Sequence, residues 1–413
     1  MLLRAALGLL AGLCATVVVA DGGAGGKDLG SVLAGNKNLT KYYDLIKKYP
    51  DILLQLPSYQ GVTIVAPSNK AFENIPYTSL NGQWDPDDKA KTVPLLQYHI
   101  LQGNVSVKDL ETGPTVVKKT LLTDSKYTNV TSGQNVLVNK QPGDVVVFTT
   151  SMGTRCTLVE GDIAFQGGLI QVVDNLLIPP ARLDKTSEAF KVSSFLGALY
   201  AAKLMPDLAY RKNVTIFAPQ DEAFALVGGG LEKLDAQKLS RVMGYHVVTD
   251  QVLVSSAFSN GTKLATLAKS GGDSEKVTVR IAGNNKYVNS AQIVQPDILI
   301  ANGILHLVSD VLNPDAGSEA PNPTLGTQVP VFPVSSVKDA FTSALPCSTD
   351  CPVTTTTAGG SDASGAATAT TSSSSFRSSS SKGGAMPARA TGGVMGAAAI
   401  GLLGVGAGVA PWL

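Results

Sequence analysis

The chain has 413 residues, of which 16% are charged, with 33 Lys and Arg against 32 Asp and Glu for a net charge of +1. No run of Lys or Arg is present, which argues against nucleic acid or an anionic membrane surface as partner, because both need a basic footprint. With four cysteines in all, the fold must be held by apolar cores and not by staples.

Residues 1–20 carry Arg4 and then an apolar run, with Val18 and Ala20 at the small-residue positions of a cleavage site. This is the pattern of a secretory signal peptide, and it is short for a bilayer span. The mature chain then begins at Asp21. Without both terminal segments roughly 365 residues remain, more than one core usually holds, so two domains are expected.

The first domain is placed at 25–182. Leu33, Leu39, Tyr42, Leu45, Ile46 and Tyr49 fall at spacings of three and four, predicting one amphipathic helix. Thr63-Ile64-Val65-Ala66-Pro67 reads as a strand ended by proline, and Ser68 opens a helix carrying Phe72. Asp85, Asp87 and Asp88 match no calcium loop and read as a solvated turn. A further helical stretch leads to Tyr98-His99, with short strands at 136–138 and 145–149. Cys156 reads as a buried free thiol. Asp162-Ile163, Gly168 and an apolar run at 170–180 close the domain.

The second domain, 183–315, repeats this order. Phe190, Phe195, Leu196 and Leu199 have helical spacing, and Thr215-Ile216-Phe217-Ala218-Pro219 precedes Gln220 and Phe224. Gly228-Gly229-Gly230 reads as a helix-ending loop, because no Lys-Ser/Thr follows to make a phosphate cradle. Tyr245-His246, strands at 277–281 and 287–289, Asp297-Ile298, Gly303 and the run 304–314 complete the copy. Helices and short strands joined by tight turns give an α+β unit, and three elements recurring in one order make a tandem duplication.

From 316 the composition turns to Pro, Gly, Ser and Thr, and residues 316–385 read as a linker and disordered, O-glycosylated stalk that cannot offset its ordering entropy. Cys347 and Cys351 are placed to close a small disulfide loop. Residues 386–413 include an uncharged run at 394–413 with no Lys or Arg after it. Preceded by Gly383-Gly384-Ala385, this is the signal for a glycosylphosphatidylinositol anchor attached at Gly383 or Gly384; the other reading is a weakly apolar membrane helix. Five sequons, at Asn38, Asn104, Asn129, Asn213 and Asn260, are candidate N-glycan sites.

On the motifs at 63–72 and 215–224, the Tyr98-His99 and Tyr245-His246 pairs, and Asn302-Gly303-Ile304-Leu305-His306 through Pro314, the chain resembles the fasciclin (FAS1) domain family over 30–180 and 185–314. The resemblance implies two tandem FAS1-like domains, each a wedge-shaped β-sandwich flanked by helices. It also implies a secreted or surface-bound protein of fungal type that adheres to cells, matrix or wall polymers. Asp162-Ile163 and Asp297-Ile298 are the candidate adhesive residues on this resemblance. Copy one departs at Gln171, where copy two has His306, and at Gly167, where copy two has Asn302. Copy two departs at Ser309, where copy one has Asp174. These departures weaken the expectation that both copies share one contact surface.

The only histidines are His99, His246 and His306, each among Tyr and aliphatic residues and not clustered with Cys, Asp or Glu, so they read as hydrogen-bonded core residues. No catalytic residue, metal site or cofactor is expected, and the chain reads as a non-enzyme. The function expected is a lipid-anchored adhesion protein on the outer face of the plasma membrane or in the wall. Its partners would be cell-wall or matrix glycans, matrix proteins or a second copy. The alternative is a surface carrier or receptor holding an apolar small molecule between helix and sheet.

Overall fold

The computed structural model of the protein describes residues 26–58, 61–317 and 319–346. The expected signal peptide, Cys347 and Cys351, most of the expected stalk, Gly383, Gly384 and the expected C-terminal anchor signal lie outside the described residues.

Domain 1 contains β1 (Val62–Pro67), β2 (Ile100–Gln102), β3 (Thr115–Lys119), β4 (Asn135–Gln141), β5 (Val145–Thr149), β6 (Arg155–Phe165) and β7 (Gly168–Val173). They form a seven-stranded sheet in the order β2-β1-β7-β6-β5-β4-β3. Only β1 and β7 run parallel. Every residue of β1 is buried, because both of its faces are covered. Ile64 and Ala66 pack under the helices α1 (Leu29–Gly35) and α2 (Thr40–Lys48). Val65 faces the other way, into the curve of the sheet with Val136, Val138 and Phe148. A strand buried on both faces shows no polar alternation.

The single helix expected from Leu33 to Tyr49 is two. Asn36 ends α1, and its side-chain oxygen accepts the Asn38 N–H at 2.9 Å, a turn that competes with helix continuation. Both pieces bury the same face, so the apolar spacing runs through the break. Further along, α3 (Asn69–Glu73) is capped by Ser68, and α4 (Lys89–Tyr98) is capped by Asp88.

Domain 2 repeats the plan with α5 (Leu183–Ala189), α6 (Ser193–Ala201), α7 (Asp207–Tyr210), α8 (Asp221–Leu231) and α9 (Ala236–Gly244). Its strands are β8 (Val214–Pro219), β9 (Val247–Val248), β10 (Lys263–Ser270), β11 (Asp273–Ala282), β12 (Asn285–Val288), β13 (Ala291–Ile300) and β14 (Gly303–Val308). Here the seven strands close, because Thr266 of β10 pairs with Val248 of β9. The matching bridge in domain 1 is Leu101 to Thr120, just beyond β3. The two layers of the expected sandwich are thus halves of one strongly curved sheet.

The domains meet through Leu137 on one side and Val254, Leu299 and Ile304 on the other. Gln134 donates to the Ile300 and Ala301 carbonyls, and the Asn129 N–H donates to Ala301. The Asn129 amide donates to the Tyr210 carbonyl, and the Asn213 amide donates to the Thr131 hydroxyl at 2.7 Å. Two of the five sequons therefore sit in the seam.

Two readings of the sequence are corrected. Gly228-Gly229-Gly230 lies inside α8 rather than in a loop after it. The stalk does not start at 316, because residues 331–345 fold back onto domain 2. Ser335 N–H donates to Leu226 and Val337 N–H to Ala225, while Ala340 and Phe341 join the core. The glycines permit this approach: a Cβ at Gly228 would lie 2.5 Å from the Ala340 Cβ, and one at Gly197 would lie 2.2 Å from the Phe341 carbonyl.

Candidate functional site

The Tyr-His pairs end α4 and α9, where the last carbonyls of a helix need donors. His99 donates from Nδ1 to the Leu95 carbonyl (2.8 Å) and accepts the Leu177 N–H at Nε2 (2.9 Å). His246 does the same with Val242 and with the Leu312 N–H, both at 2.9 Å. Each imidazole thus pins the chain leaving the parallel strand pair to the helix before it. Burial pushes both rings down to about 4, so they are neutral at physiological pH. The neighbouring Tyr98 hydroxyl donates to the Asn135 carbonyl, and Tyr245 donates to that of Lys276.

A second polar centre lies at a bulge. The β6/β7 pairing shifts register between Glu160 and Ile163, and the β13/β14 pairing shifts between Gln295 and Ile298. Asp162 and Asp297 sit at the shifts with φ of 56° and 65°, a conformation Asp tolerates better than most residues. Asp162 accepts the Val107 N–H and the Ser106 hydroxyl, both at 3.0 Å. Asp297 takes both donors from Ser255, at 2.7 and 2.5 Å. Burial pushes the Asp162 carboxyl up, but the bonds from Gln171, Val107 and Ser106 outweigh it and hold it below the usual range.

Gln171 and His306 occupy the same place and do the same work. The Gln171 side-chain oxygen accepts the Asp162 N–H at 2.9 Å, and its amide donates to the Val105 carbonyl at 2.8 Å. His306 accepts the Asp297 N–H at Nδ1 (3.2 Å) and donates from Nε2 to Leu253 (2.9 Å). Desolvation lowers the His306 pKa despite the Asp297 charge nearby. Asp174 and Ser309 are likewise interchangeable, accepting the Thr157 N–H at 2.6 Å and the Gln292 N–H at 3.0 Å. Thr63 and Thr215, fully buried, each donate to one backbone carbonyl and accept one N–H of the loop after the Tyr-His strand.

Both carboxylates of the Asp-Ile pairs are thus engaged within their own domain. Ile163 is half-buried, whereas Ile298 is 2% exposed and packs in the domain 2 core. Not anticipated from sequence are Val159 and Val294, three residues before each Asp, which are 59% and 43% exposed. Their identical offset in the two copies was the available signal. Of the sequons, Asn38, Asn104 and Asn260 are exposed, while Asn129 and Asn213 are half-buried. Asp88 caps α4, Asp85 accepts the Asp87 N–H, and Asp87 pairs with Lys48. Cys156 is a buried free thiol whose pKa burial pushes up. The cores between helices and sheet are packed with Leu33, Tyr42, Ile46 and Leu96 in domain 1 and Phe195, Leu199 and Phe224 in domain 2.

A model of the fasciclin domain matches residues 37–179 and 190–314. A fasciclin-like arabinogalactan protein of Arthroderma benhamiae is 27% identical over 350 residues, 83% of this chain and 78% of that one. A second protein of that description, from Cercospora beticola, is 27% identical over 70% of this chain and 77% of its own. Periostin of Homo sapiens is 25% identical over 62% of this chain and 29% of its own. Among solved structures, a FAS1 domain pair from the insect cell adhesion molecule fasciclin I covers 67% of this chain and 97% of its own, at 18% identity and a TM-score of 0.31.

Proposed function

This chain belongs to the fasciclin domain family, and from that premise we propose that it is a non-enzymatic adhesion protein of the cell surface. The observation that carries the reading is the repeat of one exposed apolar residue, Val159 and Val294, at the same bulge of two joined domains. Weak contacts made twice on one joined pair gain from high effective concentration. Both ring nitrogens of every histidine are committed to backbone partners, which supports the non-enzyme reading. Secretion and a lipid anchor rest on the terminal sequence patterns. Partners are wall or matrix glycans, matrix proteins or another copy of this chain.

Displaying the full chain on non-adherent cells tests the reading. Attachment is measured to wall polysaccharide, to matrix protein and to cells bearing the same chain. Val159→Ser or Val294→Ser alone should lower attachment about tenfold, and the double variant by up to the product of the two, because linkage multiplies weak contacts. No attachment in any arm overturns the proposal.

A further inference from the structure

Domain 2 carries a groove of about 700 Å³ that the Tyr-His and bulge centres do not use. One wall is the chain from Lys203 to Arg211, the second is the outer face of α9, and the third is Leu267 to Lys269 of β10. The first wall turns away sharply because α6 ends in a Schellman closure, with the Leu204 N–H donating to Leu199 and the Lys203 N–H to Tyr200. Lys203 takes the left-handed position, φ 58°, that favours glycine. A lysine held there despite its cost places a cation on the groove wall.

Charge in this groove is unlike that of the whole chain. Among the described residues Lys203, Arg211 and Lys269 have no carboxylate within ion-pair distance. Lys238 shares Asp235 at 3.6 Å, but that carboxylate also accepts the Lys238 N–H as the cap of α9. Arg241 is tied to Glu275 and Asp315 and braces the wall. Asp207 is the one other carboxylate lining the groove. Between the cations lie Leu204 and Leu267, both half-buried, over the buried Leu208, with no aromatic ring among the lining residues. Domain 1 closes the corresponding space, since Lys89 pairs with Asp51 and Gln97 donates to Gln55, tying α4 to residues 50–58.

We propose that this groove binds an acidic polysaccharide, its carboxylates or sulfates pairing with Lys203, Arg211 and Lys269 while the C–H faces of its sugars lie on Leu204 and Leu267. The site rests on the adhesion reading and gives it a ligand class. Spaced point charges on an aliphatic floor suit a flexible polyanion. A neutral sugar or a nucleobase would find no ring to stack on, and a concave site is poorly matched to a flat bilayer.

The full chain in detergent, titrated with polygalacturonate, heparin, the neutral glucan laminarin and anionic phospholipid vesicles, tests this. Binding to polygalacturonate or heparin should weaken as salt rises. It should fall about tenfold in the Lys203→Gln/Arg211→Gln/Lys269→Gln variant, the sum of three exposed pairs. Arginine at 203 and 269 should retain it. A preference between the two polyanions identifies carboxylate or sulfate as the anion. Equal binding by laminarin, a preference for vesicles, or undiminished polyanion binding by the folded triple variant would each overturn the site. Loss of polyanion binding with normal cell attachment would leave adhesion standing through another surface. Polyanion binding without any attachment would sink the adhesion reading and keep the groove.

Discussion

The two domains differ most where they do the same work. Gln171 and His306 share neither a ring nor a titratable group, yet each accepts the N–H of the bulge Asp and donates to the carbonyl of one loop. Asp174 and Ser309 differ by a full charge and still receive the equivalent strand N–H. What the architecture requires is a hydrogen-bonding pattern at fixed backbone atoms, and several side chains can meet it. The departures therefore leave the framework equal and change only its response to protons.

Acid gives the largest expected separation. His99 and His246 have folded pKa values near 4, below the unfolded 6.5, so the unfolded chain binds more protons between those values. Their stabilisation is complete above pH 6.5 and is lost as pH falls towards 4, by roughly 3 kcal/mol per histidine. Domain 2 carries a third lowered histidine, His306, where domain 1 has a glutamine. Urea midpoints followed across this range should fall more steeply for domain 2, and equal slopes would break the comparison. His99→Ala and His246→Ala should each cost about 3 kcal/mol, because two backbone partners are orphaned beside a cavity. Domain-resolved melting should show equal losses in the matching domains.

A smaller effect is expected at the bulge. Asp162→Asn and Asp297→Asn replace an acceptor oxygen by a donor facing an N–H or hydroxyl, so melting should drop by about 1–2 kcal/mol. The exchange His306→Gln should cost under about 1 kcal/mol and remove the extra acid sensitivity of domain 2, whereas His306→Leu should destabilise it about twofold more. A His306→Gln variant that keeps the steep slope would detach the acid response from this residue. Least in energy is glycan placement. Mass spectrometry of the protein expressed through a secretory pathway should find Asn38, Asn104 and Asn260 more fully glycosylated than Asn129 and Asn213, whose amides face the seam.

The duplication, β1 and β8, and the positions of the Tyr-His pairs were legible in the sequence because an apolar run cut by Ala-Pro and a lone buried histidine each leave a local mark. Long β6 and β13 were not, since register shifts at Glu160 and Gln295 interrupt the two-residue period. The break at Asn36 was hidden by the common apolar face of α1 and α2. The exchange of Gln171 for His306 read as a functional difference because sequence lists side chains and not the backbone atoms they serve. The returning segment 331–345 escaped because its few anchors, Val337, Ala340, Phe341 and Leu345, matter only against a helix stripped to glycine at Gly228.

That returning segment also decides how the protein meets a mechanical load. Any pull transmitted from beyond residue 346 reaches domain 2 through Phe341, which lies edge-on to Phe224 and has its N–H on Glu232. Further in, the strip is held by backbone bonds from Ser335 to Leu226, from Val337 to Ala225 and from Gly229 to Ser335, which a pull loads after Phe341. Under tension the segment should yield first, lengthening the tether while both curved sheets, and whatever they grip, remain intact.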